Sequence, residues 1–135
     1  LLGAFDLSGS ALSAQSIRLN VTASNLANAE TVSSNRETTY RARHPVFSTA
    51  MDMFKDDPAV AGVNVKGIVE SQAEVRMRYE PKHPQSNEDG YIFLPNVNPI
   101  EEMANMISAS RSYEYNVEAM NTTKQLMLAT LRLGQ

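Results

Sequence analysis

Few side chains in this sequence are placed where they could do chemistry together. His44 and His83 are its two histidines, each beside a proline, and it has no cysteine. Thiolate nucleophiles, disulfides and cysteine-ligated zinc are therefore excluded, and no spaced His-Asp-Glu cluster replaces them as a metal site. Ser110, Arg111, Ser112 and Glu114 could decorate a cleft, yet they form neither a nucleophile elbow nor a recognisable acid–base pair. The six glycines make no phosphate-binding loop. The expectation is a chain that is not an enzyme and holds no cofactor or metal. Arg41, Arg43, Arg76 and Arg78 form two short basic alternations. They could meet an acidic neighbour or a polysaccharide, or else serve as solvated strand faces and internal ion pairs.

The elements that would position these residues are uneven in kind. Phe5, Leu12, Leu19 and Leu26 recur every seven residues, while Leu7, Ala14 and Val21 form a second series on the far side of the same helix. The pattern predicts a helix over 4–29 with more than one neighbour. Gly9 inside it would weaken an exposed helix but would permit a close backbone approach if buried. Ser16, Asn20, Ser24, Asn25 and Asn28 add little helix propensity and suit a tight helical contact.

The polar stretch 30–39 reads as a loop or connector. Tyr40-Arg41-Ala42-Arg43 alternates into a short edge strand reaching Val46 and Phe47, with Pro45 limiting it. The segment 51–61 is mixed, with a turn at Asp56-Asp57-Pro58. A second strand follows at Val63, Val65, Ile68 and Val69, with Gly67 at a bend or bulge. Val75, Met77 and Tyr79 suggest a third. Residues 80–98 form a meander of turns around the extended run Tyr91-Ile92-Phe93-Leu94.

Asn98, Pro99 and Glu101 mark the clearest boundary: a cap, a first-turn proline, and a glutamate able to accept from the backbone N–H of the cap. The segment 99–131 then runs without Pro or Gly. Met103, Met106, Ser110, Tyr113, Val117, Met120, Lys124, Met127 and Leu131 recur along it at spacings of three and four, and Gly134 stands where a helix would stop. At 1.5 Å per residue such a helix is about 50 Å long, too long for so short a chain to cover. Its methionines could fill an irregular core or adapt one surface to several partners.

With 135 residues, 42% of them hydrophobic and 20% charged, the chain is neither disordered as a whole nor a membrane protein by composition. A net charge of −3 gives no general basic field, so nucleic acid is not an expected partner. Leu1-Leu2-Gly3-Ala4-Phe5, interrupted by Asp6, does not read as a basic leader with a long apolar core. The fold expected is mainly α with a small β-rich insertion. Its long N- and C-terminal helices would pair as an antiparallel coiled-coil-like core domain (1–29 with 99–135) around a central connector and β-rich segment (30–98).

Leu19-Asn20-Val21 followed by Ser24-Asn25-Leu26-Ala27-Asn28-Ala29, together with Ser110-Arg111-Ser112-Tyr113, Asn116-Val117, Asn121-Thr122 and Thr130-Leu131-Arg132-Leu133-Gly134-Gln135, resembles the bacterial flagellar basal-body rod proteins. Tyr79-Glu80-Pro81-Lys82-His83-Pro84, Asp89-Gly90-Tyr91 and Pro95-Asn96-Val97-Asn98 narrow the likeness to a short proximal-rod member. The chain departs from the pattern at 33–39, which lacks the Gly/Pro-containing turn expected before Tyr40-Arg41.

The resemblance implies a structural subunit of the flagellum basal body, in the rod within the periplasm. It would be a type III export substrate whose ends stay flexible until incorporation, and part of a shaft that transmits motor torque. Implied neighbours are further copies, proximal and distal rod proteins, and the adaptor joining rod to export gate or membrane ring. Implied interface positions are Leu19, Asn20, Asn25, Leu26 and Asn28 in the first helix, and Arg111, Tyr113, Asn116, Asn121, Leu131 and Leu133 in the last. Leu12, Met106, Val117 and Met120 of the apolar series join them. The alternative is a soluble export-associated or signalling protein-binding module that docks one partner.

Overall fold

The computed structural model describes residues 2–49 and 63–134. Two helices, α1 (Leu2–Ala27) and α2 (Pro99–Leu133), flank four short strands: β1 (Arg43–Thr49), β2 (Val63–Glu70), β3 (Arg76–Tyr79) and β4 (Tyr91–Leu94). The chain is thus mainly helical with a small antiparallel β insertion. The expected turn at Asp56-Asp57-Pro58 lies outside the described residues.

α2 starts as its sequence dictates. Asn98 sits in extended conformation, and its Oδ1 accepts from the N–H groups of Ile100 and Glu101 at 3.1 and 3.4 Å. This satisfies donors that a first helical turn otherwise leaves unpaired. The expected return bond from Glu101 to the cap is not among the hydrogen bonds of the described residues; the Glu101 side chain points to solvent. At the other end Gly134 stays right-handed, and its N–H still reaches Thr130 O at 3.1 Å. The helix therefore ends at Leu133 with Gly134 as its cap, where the sequence places the stop. Its 35 residues span about 52 Å against about 39 Å for the 26 of α1.

The helices run antiparallel. Asn25 meets Glu102, Arg18 reaches Ser108, and at the far end Leu2 and Phe5 lie beside Leu128 and Leu131. The β1–β2 hairpin packs on another side of α1. Val63 N–H donates to Ser10 Oγ at 3.0 Å, and Val63 and Val65 lie beside Ser13, Ala14 and Ile17. The second apolar series of α1 is thereby partly explained within the chain, since Ala14 faces the hairpin while Phe5 faces α2. No close backbone approach exists at Gly9, where an added Cβ would meet nothing within 4 Å.

The strands form two separate two-stranded sheets, β1–β2 and β3–β4. β1 begins at Arg43, three residues later than the alternation at Tyr40 predicts. Ala42 N–H is taken by Asn96 Oδ1 at 2.7 Å instead of by a strand, and the Arg41 guanidinium donates to the carbonyls of Ser71 and Ala73. The hairpin register shifts between Val46↔Gly67 and Phe47↔Val65, leaving Lys66 as the extra residue beside Gly67. Pro45 is tolerated because each strand of a two-stranded sheet has an open edge.

The connector that lacks glycine and proline is ordered by Asn35. Its Oδ1 accepts from Thr38 N–H and Thr38 Oγ1, both at 2.8 Å, an Asx-type turn that stands in for the missing residues. Ser33 then pairs with Phe93 in an antiparallel bridge on the free side of β4. The apolar core sits where α1 ends and α2 begins: Ala29, Ala42, Val75, Ile92, Phe93, Leu94 and Val97 are buried there.

Candidate assembly interface

α2 fully buries only small and polar residues against α1 and leaves most of its large apolar ones exposed. Glu102, Ala109 and Thr123 are buried, and Asn105, Met106, Ser112, Asn116, Met120 and Met127 are half-buried along the same row. Ile100, Met103, Ile107, Tyr115, Leu126, Leu131 and Leu133 are exposed, Ile100 at 79% and Leu133 at 89%. A helix that packed only inside its own chain would show the reverse pattern. The apolar series expected to face the partner helix lies to one side of the buried row. Met106, Met120 and Met127 are half-buried, while Met103, Tyr113, Val117 and Leu131 are exposed.

The two helices are joined by a polar contact at their near end. Asn25, 0% exposed, donates to Arg43 O at 2.8 Å and to Glu102 Oε2 at 3.1 Å, and its Oδ1 accepts from Tyr40 O–H at 2.8 Å and Arg43 N–H at 2.9 Å. All of its hydrogen-bonding capacity is used. Because Tyr40 gives its proton to Asn25, the 3.0 Å contact between Tyr40 and Ser24 has the serine as donor. Arg43 in turn lies over the Tyr40 ring at 5.4 Å. Glu102 is buried in the first turn of α2, where the helix dipole favours a carboxylate. Next to this joint, Arg76 donates to Pro95 O at 3.0 Å and Ala29 O at 2.9 Å, tying the β insertion to the end of α1.

The residues expected at an interface therefore separate. Asn25 is inside the chain and unavailable to a neighbour, a correction that follows from its complete set of internal partners. Leu12, Leu19, Leu26 and Asn28 are half-buried, Asn28 with a bond to Ser24 O at 2.9 Å. Asn116 is half-buried and bonds Ser112 O one turn back at 2.7 Å. Asn20, Arg111, Tyr113, Val117, Asn121, Leu131 and Leu133 are exposed. Sequence reasoning missed Ile100, Ile107, Tyr115, Leu126 and Leu128 because they fall outside the single stripe it followed. Glu102 was missed as well, because its partner Asn25 lies 77 positions away in the chain. The arginines are mostly committed internally: Arg43 and Arg78 approach Glu70 and Glu80 at 3.8 and 3.6 Å.

Among the described residues no group of three or more His, Cys, Asp or Glu side chains could hold a metal ion, and no helix among them is long and apolar enough to cross a membrane. His83 Nδ1 accepts from Gln85 N–H at 3.0 Å, and His44 lies exposed on β1.

An antiparallel helix pair with an apolar outer face, bridged by a small β insertion, defines a structural subunit built to be covered by others. Residues 5–33 match the flagella basal body rod protein family, and residues 88–133 match the C-terminal family of the flagellar basal body rod FlgEFG proteins. The chain belongs to the flagellar basal-body rod proteins. Its relatives include the flagellar basal-body rod protein FlgC of Salmonella typhimurium, 49% identical over 135 residues that cover all of this chain and 98% of that protein. FlgC of Escherichia coli O157:H7 is 50% identical with the same coverage, and FlgC of Aquifex aeolicus is 40% identical over 130 residues, 96% of this chain and 94% of that protein. The chain is a structural subunit of the bacterial flagellar rod, located in the basal body.

Proposed function

We propose that the chain builds the rod through its two ends, with 1–29 and 99–135 forming one coiled-coil-like unit and 30–98 a separate central segment. The observation that supports this most strongly is the outward apolar face of α2, which only a neighbour can remove from water. Neighbours are other copies and related proximal and distal rod proteins, with the adaptor to the export gate or membrane ring at one end. Arg111, Tyr113, Asn121, Leu131 and Leu133 contact them directly, as do the exposed parts of Leu12, Leu19 and Leu26. Asn25 acts one step back, by fixing the helices that present those faces.

Type III export favours ends that stay loose until incorporation. The distribution of burial agrees with that order of events, because the packed core and the Asn25 joint lie at the near end and the apolar residues at the C-terminal end of α2 lie open. A contact that does not close on itself lets the assembly continue along an axis and transmit torque.

Hydrogen exchange on the isolated chain and on isolated basal bodies tests the reading. Residues around Asn25 and Ile92 should be protected in both, and 124–133 only in the assembled rod. Strong protection of 124–133 in a verified monomer would instead favour a self-contained binding module.

A further inference from the structure

The two ends of the β1–β2 hairpin are fastened unequally. At its base Asn25 holds both backbone groups of Arg43, at 2.8 and 2.9 Å, and Ser71 N–H donates to Ala42 O at 2.8 Å. Asn96 adds a clamp there. Its Oδ1 accepts from Ala42 N–H at 2.7 Å and its Nδ2 donates to Ala73 O at 2.9 Å, a carbonyl that also accepts from Arg41 at 3.0 Å. Among the described residues a single hydrogen bond joins the other end to α1, from Val63 N–H to Ser10 Oγ at 3.0 Å.

Seating is loose at that second end. Val63 and Val65 stand beside Ser10, Ser13, Ala14 and Ile17 across a cleft of about 260 Å³, so the strands do not close-pack on the helix. Phe47 pairs with Val65 and shares its face, yet it is 40% exposed. Between the two ends the ladder is interrupted at Val46 and Phe47, and a Cβ on the facing Gly67 would meet nothing within 4 Å. Beyond that interruption, 47–49 and 63–65 form a short two-stranded ribbon, which is marginal by itself.

We propose that residues 47–49 and 63–65 form a flap that opens from α1 at the bulge and uncovers Ala14 and Ile17, while the base of the hairpin and the Asn25 joint stay folded. The balance of contacts decides which part moves. Opening the flap breaks one hydrogen bond to α1 and a loose apolar contact, whereas moving the base breaks the Asn25 and Asn96 bonds together and strands backbone groups. Ala14, 2% exposed beneath the closed flap, belongs to the second apolar series of α1. The use of the flap rests on the assembly reading above: a face covered in the isolated chain becomes open to a neighbouring subunit.

The chain has no cysteine, so Ala14→Cys places a single thiol under the flap. Ala109→Cys, at a fully buried position of α2, gives a control thiol. In the isolated chain without denaturant, the first should react with N-ethylmaleimide about tenfold or more faster than the second. Adding Ser10→Ala, which removes the one bond at that end, should raise the first rate about two- to tenfold and leave the second unchanged. In hydrogen exchange on the unsubstituted chain, amides of 63–65 should exchange ahead of those of 12–16 in α1.

Equal reaction rates for the two thiols would overturn the flap. So would exchange of 12–16 together with 63–65, since α1 itself would then be unravelling. Both measurements use the isolated chain, so either failure leaves the rod assignment standing. Absence of the wild-type chain from basal bodies would instead remove the assembly reading.

Discussion

Asn25 Nδ2 of α1 donates to the Glu102 carboxylate of α2 at 3.1 Å, across 77 positions of sequence. Through its remaining bonds the same asparagine also holds both backbone groups of Arg43, where the hairpin begins. One buried amide thus sets the mutual position of three elements, and the exposed apolar residues of α2 inherit their placement from it.

Asn25→Ala should destabilise the chain by about 2–4 kcal/mol, because it leaves a buried carboxylate and two backbone groups without partners. Asn25→Asp should be at least as harmful, since it places a second carboxyl against Glu102. Urea denaturation followed by the fluorescence of the tyrosines would measure both. Wild-type stability in Asn25→Ala would show that the joint is dispensable.

Gly90→Ala should cost about 1–3 kcal/mol. Gly90 has φ +85°, and an added Cβ would lie 2.8 Å from Tyr79 Cε2 and 3.1 Å from Pro81 Cβ. Tyr79, whose ring stacks edge-on against Tyr91 at 5.1 Å, would have to move. In thermal melts the loss should shrink in the Tyr79→Ala background; an equal loss in both backgrounds would assign the cost to backbone strain alone.

Asn98→Ala should lower stability by about 1 kcal/mol by removing the cap of α2, and Asn98→Asp should retain it, because a carboxylate serves both the free N–H groups and the helix dipole. Chemical denaturation checks the order wild type, Asp, Ala. An alanine variant as stable as wild type would mean that packing alone sets this helix start.

Leu131→Ser combined with Leu133→Ser should leave the stability of the isolated chain within about 0.5 kcal/mol of wild type, since both side chains are exposed. Incorporation into basal bodies should nevertheless fall sharply, and motility with it. Arg111→Glu should behave likewise. Normal motility in a strain relying on either variant would remove those residues from the interface.

Local signals in the sequence were read correctly where the physics is local. Asn98 and Pro99 began a helix because capping needs only the next three residues, and Gly67 marked a bulge because the backbone tolerates one there. Tyr40 to Ala42 misled for the opposite reason. Their alternation is that of a strand, but the groups that satisfy them, Asn25, Asn96 and two distant carbonyls, lie far along the chain. The connector at 33–39 escaped because the expected turn chemistry was sought in glycine and proline, whereas Asn35 supplies it through a side-chain oxygen.

By itself the sequence determined the two long helices, the short strands between them and the membership of a rod family, since periodicity, caps and end motifs are written residue by residue. Only the tertiary structure decided which side of α2 faces its partner. Glu102, Ala109 and Thr123 lie inward, Glu102 on Asn25 of α1 and Thr123 with its hydroxyl satisfied by Ala119 O of its own helix, and most of the larger apolar residues are left exposed. Periodicity locates a stripe on a helix, but the identity of its partner depends on contacts between residues that are distant in the chain.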